Sequence, residues 1–445
     1  MNMKKLIAVG ALLPFAALAE EPAVVTEAQA QEVNADVTVE LTASESMQQM
    51  FDNFAKKKGK NFAFGVRSKT GVIYFCEQSR VASKPVSNKF IQDRQNAFDD
   101  AFNKILANHI SRRTGEIITK NVQNLYADDS SDVLDTPKSL EEASKGVLKK
   151  IKVAGEALID KGLRSLGVDP SKYDGKPAEE KRVIYAKTMM RESAVRALGS
   201  VSGVTVVKTL EAHSADGKYV IGVIAKYDPM VEEVARCIAR EVHPNIALKK
   251  GIPAASLVKQ PAEKLVQNFG VRFIYNEDGK PELVAFAQWA SAYSGTNDYI
   301  ADEMMRTAKD HARNAADQMV AEFVGGCYAN EEKSTRGRQI EEANVFDENG
   351  GVRTENIDKL ISVYRQSSKV TGRLRMRGTD PIATPSFIKH PCGSKVAISA
   401  VRYSFDVLDE VKTDYHKKAQ EEKAVAPKNE AEGTAGTAEG DETDF

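Results

Sequence analysis

Signatures of catalysis are what this chain of 445 residues lacks. Its six histidines are His109, His213, His243, His311, His390 and His416, of which His109 and His311 read as solvent-facing or capping residues of helices. None stands at HxxxH or HExxH spacing from another histidine, cysteine or carboxylate, so no metal site is expected. No P-loop and no GxGxxG occurs, which removes the usual phosphate cradles and gives no reason to expect a dinucleotide cofactor. Gly199-Ser200-Val201-Ser202-Gly203 has serine in the second place where a nucleophile elbow needs it third, and reads as a helix-to-strand connection. No catalytic, cofactor-binding or metal-ligating residue is picked out.

An excess of charge of one sign is also missing. Lysine and arginine number 62 against 63 aspartates and glutamates, a formal net charge of −1. A nucleic-acid partner is therefore not expected, because such domains carry a basic footprint. After the leader, no stretch approaches the run of about 20 apolar residues that a membrane helix requires, so no transmembrane segment is expected.

What is present begins with that leader. Lys4 and Lys5 form a positive start, Leu6 to Ala16 an apolar run, and Ala17-Leu18-Ala19 a small-x-small cleavage site. This order predicts a signal peptide over 1–19 and export to the periplasm, cell envelope or exterior. No cysteine sits near the cleavage point, which disfavours a lipid anchor. Residues 20–44 read as a flexible leader. Residues 413–445 read as an acidic disordered tail, with six acids and no base from Asn429 onward. Phe445 is not taken for a barrel-terminal aromatic, since the residues before it do not alternate.

Four cysteines, Cys76, Cys237, Cys327 and Cys392, in an exported chain predict disulfides. Three pairings are open, and four reduced buried thiols are the alternative. If two modules fold separately, the simplest bridges are Cys76 with Cys237 and Cys327 with Cys392.

Two modules are expected because one pattern occurs twice. Asn61 to Val66 and Val72 to Phe75 read as a hairpin, as do Asn268 to Tyr275 and Leu283 to Ala287 around Asp278-Gly279. A long helix follows each, with Ala97, Phe98, Ala101 and Ile105 in one, and Ala308, Ala312, Ala316 and Val320 in the other. Gly325-Gly326 reads as the second helix's stop. Further helices are expected near 182–198 and 355–367. Each copy then closes with a strand pair, Val204 to Leu210 with Lys218 to Tyr227, and Gly372 to Met376 with Val396 to Phe405. The predicted class is α+β: two tandem related modules, 45–240 and 268–412, joined by a linker at 241–267. Each is a largely antiparallel sheet with long helices on one face.

A helical insertion near 140–180 distinguishes the first copy. Its apolar stripe from Val147 to Leu166 reads as packing within the module, with a membrane-surface role as the alternative. Arg373, Arg375 and Arg377 alternate on a predicted strand, so they share one face. Either they bind an anion such as carboxylate, phosphate or acidic polysaccharide, or they form a solvated face paired with cross-strand acids. Trp289, the one tryptophan, is expected to pack against the adjacent helix rather than to stack on a glycan.

The alanine-studded helix from Phe90 to Lys120, the strand from Gly203 to Lys208 and the close from Asp216 to Val223 resemble the LPP-twenty-like lipoprotein and flagellar-T amino-terminal domains of bacterial envelopes. The chain departs from them in having no lipobox cysteine and in its insertion. The resemblance implies an envelope structural or assembly protein without catalysis. The expected function is thus an exported, non-enzymatic protein that binds or scaffolds a partner the sequence does not identify. The alternative is a secreted hydrolase using scattered carboxylates. Oligomeric state is not legible.

Overall fold

The computed structural model describes residues 41–425 apart from 86, 127–139, 292, 294, 329–332, 348–350, 354–355, 376 and 386. The leader, its cleavage site and residues 426–445 of the expected tail lie outside the described residues. The chain runs through α1 (Ala43–Lys58), β1 (Ile73–Arg80), α2 (Phe90–Tyr126), α3 (Leu140–Lys152), α4 (Glu156–Ser165), α5 (Ala178–Gly199), β2 (Val204–His213), β3 (Tyr219–Tyr227) and α6 (Pro229–Ala239). It continues through β4 (Gly270–Tyr275), β5 (Pro281–Trp289), α7 (Asp298–Tyr328), α8 (Lys333–Ala343), α9 (Ile357–Arg375), β6 (Thr379–Ile382), β7 (Ile388–Lys389), β8 (Lys395–Ser404) and α10 (Phe405–Val425).

The class is α+β, as the sequence predicts. One sheet has the order β1-β3-β2 and the other β4-β5-β8-β6, with β7 also on β8, and every pairing is antiparallel. The triplet β5-β8-β6 repeats β1-β3-β2. In each, the last strand in sequence is central, and long helices separate the first strand from the second. A helix follows the last strand almost at once, α6 after β3 and α10 after β8.

The halves nevertheless share one core. Leu41 onward forms one compact unit. Phe98 of α2 stacks on Phe269 just before β4 at 5.3 Å, and one apolar cluster runs from Ile73 and Phe98 to Phe286 and Ala400. The stretch 241–267, expected as a linker, is packed as well. Ile252 N donates to Tyr275 O at 2.9 Å, and Leu257, Leu265 and Val266 are buried.

Several local expectations are corrected. Asn61 to Val66 is not a strand, and only Arg67 bridges to Ile73 before β1. Phe62 and Phe64 instead pack on Phe54 of α1 and with each other, an aromatic cluster that pulls this segment off the sheet. Gly325 and Gly326 do not end α7, which continues to Tyr328. They face the Ser368 carbonyl and the Tyr364 hydroxyl of α9, where a Cβ would not fit. Residues 413–425 of the expected tail are helical in α10. The stripe from Val147 to Leu166 is two helices broken at Gly155, and Val147, Ile151, Ile159 and Leu163 enter the core.

The arginine strand is also corrected. Arg373 and Arg375 lie in α9 and Arg377 follows it, because the apolar spacing of Leu360, Ile361 and Tyr364 extends the helix to 375. Gly378, at φ 88°, then turns the chain into β6. The three arginines share no strand face, and Arg377 lies over the Tyr415 ring at 5.7 Å.

Candidate functional site

A cleft of about 900 Å³ is walled by the second half of α2, the end of α5 with the turn that follows, and α6. Its floor follows from local sequence. Asp228 caps α6 by accepting from Met230 N at 3.0 Å, with Pro229 at the first helical position, so α6 starts directly from β3. Gly203 lets that turn close on the Tyr227 ring, which a Cβ would meet. On α2, Arg113, Glu116, Ile117, Lys120, Asn121 and Asn124 recur at helical spacing and turn one polar stripe into the cleft.

The lining is cationic. Among the described residues, Arg67, Arg113, Lys120, Arg196, Arg236 and Arg240 face it against Glu116 and Glu232. Glu116 accepts from Arg67, from Arg112 Nε at 3.3 Å and from Arg113 Nη1 at 3.3 Å. Glu232 accepts from the Tyr227 hydroxyl at 2.7 Å and from Arg236, which also binds Glu233 at 2.8 Å. Lys120, Arg196 and Arg240 are exposed and have no acidic partner among the described residues. The C-termini of α5 and α6 meet here, and each end carries about −0.5 elementary charge. Against an excess of four side-chain cations among the described residues, that offset of about 1 leaves the lining positive.

Beneath the cleft lies a histidine the sequence places on the surface. His109 is 1 % exposed, because it sits four residues after Ile105 on the buried face of α2. Its Nε2 is 2.7 Å from Ser200 Oγ, its ring is 4.6 Å from Tyr227, and Nδ1 has no partner among the described residues. Burial, aided by Arg113 and Arg67, holds His109 down to about 3, so the imidazole is neutral at neutral pH. The Ser200 hydroxyl donates to Ala197 O at 2.7 Å. The network therefore assigns the ring proton to Nε2, donating to Ser200, and leaves Nδ1 a bare lone pair. In that tautomer the histidine holds no lone pair toward the serine and is not its base.

The sequence-predicted residues lie elsewhere or behave differently. Cys327 alone of the four cysteines lines the cleft, and burial pushes its thiol up to about 11. All four cysteines are free. The expected bridges fail because the partners sit in different layers. Cys76 packs with Met47 and Ile224 on the outer face of the first sheet, and Cys237 with Val324 and Leu283. Cys327 shares that second cluster, whereas Cys392 borders the central core. Trp289 stacks on His311 of α7 at 5.2 Å, the expected packing against the helix. Among the described residues no three histidines, cysteines or carboxylates gather to hold a metal, and no helix is long and apolar enough to cross a membrane.

Comparison with known proteins adds a partial family match. Residues 144–240 match a family described as a domain of unknown function, DUF6844. That span holds Arg196, Ser200, Glu232, Arg236 and Arg240 of the cleft but not its α2 wall. A hypothetical protein from Francisella tularensis, solved by crystallography at 2.3 Å, is similar over 83% of this chain and 93% of its own, at 17% identity and a TM-score of 0.49. No curated protein matches.

Proposed function

We propose that this is an exported, non-enzymatic binding protein that takes an anionic ligand in the cleft between α2, α5 and α6. The carrying observation is the convergence of Lys120, Arg196 and Arg240, three cations from three helices or their ends that form no ion pair among the described residues. Unpaired cations gathered in a concave site raise the local concentration of anions and supply the charge-assisted donors that hold them. A volume of about 900 Å³ is also that of a ligand site rather than of a packing defect.

The contacts of the two cleft carboxylates favour binding over a carboxylate-based hydrolase. Glu116 is held among three arginines, and Glu232 between Tyr227 and Arg236. Neither is left to give or take a substrate proton. The leader at 1–19 supports the envelope or secreted address.

The test is calorimetric titration of the full chain with inorganic pyrophosphate at low salt. Saturable binding is expected, weakened at least tenfold in Lys120→Gln/Arg196→Gln/Arg240→Gln, whose circular dichroism should match the parent's. Absence of binding, or equal binding by a folded triple variant, overturns the proposal.

A further inference from the structure

The cleft's shape says more about its ligand than its charge does. The α2 stripe from Arg113 to Asn124 covers twelve residues, whose eleven steps of 1.5 Å span about 16 Å. Lys120 lies on this wall, Arg240 just past the end of α6 on the facing wall, and Arg196 in the last turn of α5. Positive groups thus stand on three walls of a trough, one of which runs for about 16 Å.

A compact site for one small anion is built differently. It uses backbone N–H groups at a helix N-terminus, where the dipole favours negative charge. Here the helices present their C-terminal halves, with carbonyls and the opposite dipole end. A single phosphate finds no cradle of N–H groups and must outcompete water using mobile side chains alone. A ligand with several linked charges gains from each cation while ordering only once. The trough therefore discriminates by number of charges.

The lining also restricts what carries those charges. Among the described residues no aromatic side chain lines the cleft, so none of them offers the stacking surface that nucleobases use. Asn121 and Asn124 add amide donors on the same stripe, suited to anionic or bridging oxygens.

Building on the proposed anion-binding function, we propose that the ligand class is a linear condensed phosphate, a chain of inorganic phosphoryl groups lying along α2 and bridging Lys120, Arg196 and Arg240. Nothing covalent is required, since the chain binds by exchanging its counterions for these side chains.

The experiment is a titration of the full chain with orthophosphate, pyrophosphate, tripolyphosphate and a polyphosphate of about ten units, each at two salt concentrations. Polygalacturonate of matched charge is run in parallel. Affinity should rise at least tenfold from orthophosphate to tripolyphosphate, with a salt dependence that steepens with chain length. It should fall at least tenfold for the longest chain in Lys120→Gln/Arg196→Gln/Arg240→Gln. If that variant does not fold, Arg240→Gln alone, at an exposed position, should still weaken the longest chain severalfold. Equal binding of orthophosphate and tripolyphosphate overturns this inference and leaves the anion site standing. Polygalacturonate binding as tightly as polyphosphate overturns the assignment to phosphate. Failure of every anion to bind overturns both this inference and the function on which it rests.

Discussion

Arg94 Nε lies 2.7 Å from Glu211 Oε1, and this guanidinium of α2 is wholly buried. It also donates to Gln288 Oε1 of β5 and to Val266 O, both at 3.1 Å, while His390, just after β7, meets Glu211 Oε2 at 3.0 Å. Arg94 thus joins β2 of the first sheet to β5 of the second, and Glu211 ties the end of β7 to the same point. Removing one partner of such a pair strands a charge in the core, whereas replacing both with apolar residues does not. Arg94→Met should lower unfolding free energy by about 3–5 kcal/mol, and Arg94→Met/Glu211→Leu should recover most of that loss. Urea melts followed by circular dichroism and by Trp289 fluorescence check this. The two probes should move together in the single variant, because the halves share the broken contact. Separate transitions would show that they unfold as independent modules.

Two buried groups give the protein a stepped response to acid. His109 titrates near 6.5 when unfolded but is held down to about 3 in the fold, so the unfolded chain binds the extra proton first. Stability from this residue is full above pH 6.5 and falls as pH drops toward 3, at up to about 1.4 kcal/mol per pH unit. Glu211 adds a second step. Burial alone would push its carboxyl up, yet Arg94 and the hydrogen bond from His390 outweigh burial and hold it at about 2. Its contribution is present above 4.5 and disappears between 4.5 and 2. Melts at half-unit pH intervals should show decline beginning near 6.5 and steepening below 4.5. His109→Gln should remove the first leg and leave the second. A flat response from pH 7 to 5 in the parent protein would sink the assignment.

Local patterns were the legible part of this chain. The Asp278-Gly279 turn gives β4 and β5, Asp216-Gly217 joins β2 to β3, and the spacing of Ala97, Phe98, Ala101 and Ile105 gives α2 its buried face. The cleft is not legible, because its unpaired cations are separated by 76 and 44 positions and only folding brings Lys120, Arg196 and Arg240 together. One trace was available in the stripe Arg113, Glu116, Lys120 and Asn124, which resembles an ordinary solvated helix face. Arg373, Arg375 and Arg377 mislead in the opposite direction. Alternation predicts a strand, but the helical period of the preceding residues governs them. His109 misleads because a lone imidazole is equally at home in a core when a hydroxyl such as Ser200 satisfies one nitrogen.

The free cysteines make a chemical prediction. Burial pushes the Cys76 thiol up to about 12 and Cys327 up to about 11, so neither is a thiolate at neutral pH. Ellman's reagent should react slowly with Cys76 and Cys327 in the native chain and should count four thiols after denaturation without reductant. Two or fewer would restore a disulfide.

Gly325 sets helix propensity against packing. Alanine in place of glycine within a helix is intrinsically favoured by up to about 1 kcal/mol. At Gly325 of α7, however, a Cβ would overlap the Ser368 carbonyl, and across the contact a Cβ at Gly372 would overlap the Ala321 carbonyl. The two glycines let α7 and α9 approach backbone to backbone, so the added methyl must separate helices that close one side of the core. Overpacking of this kind costs about 1–3 kcal/mol, which exceeds the propensity gain. Gly325→Ala should therefore destabilise, by up to about 2 kcal/mol after the full offset. Gly146 provides the contrast. It lies inside α3 with nothing within 4 Å of a Cβ, so Gly146→Ala should stabilise by up to about 1 kcal/mol. Urea midpoints of the two variants should move in opposite directions from the parent's. If Gly325→Ala shifts upward with Gly146→Ala, α7 and α9 are not packed backbone to backbone at this point.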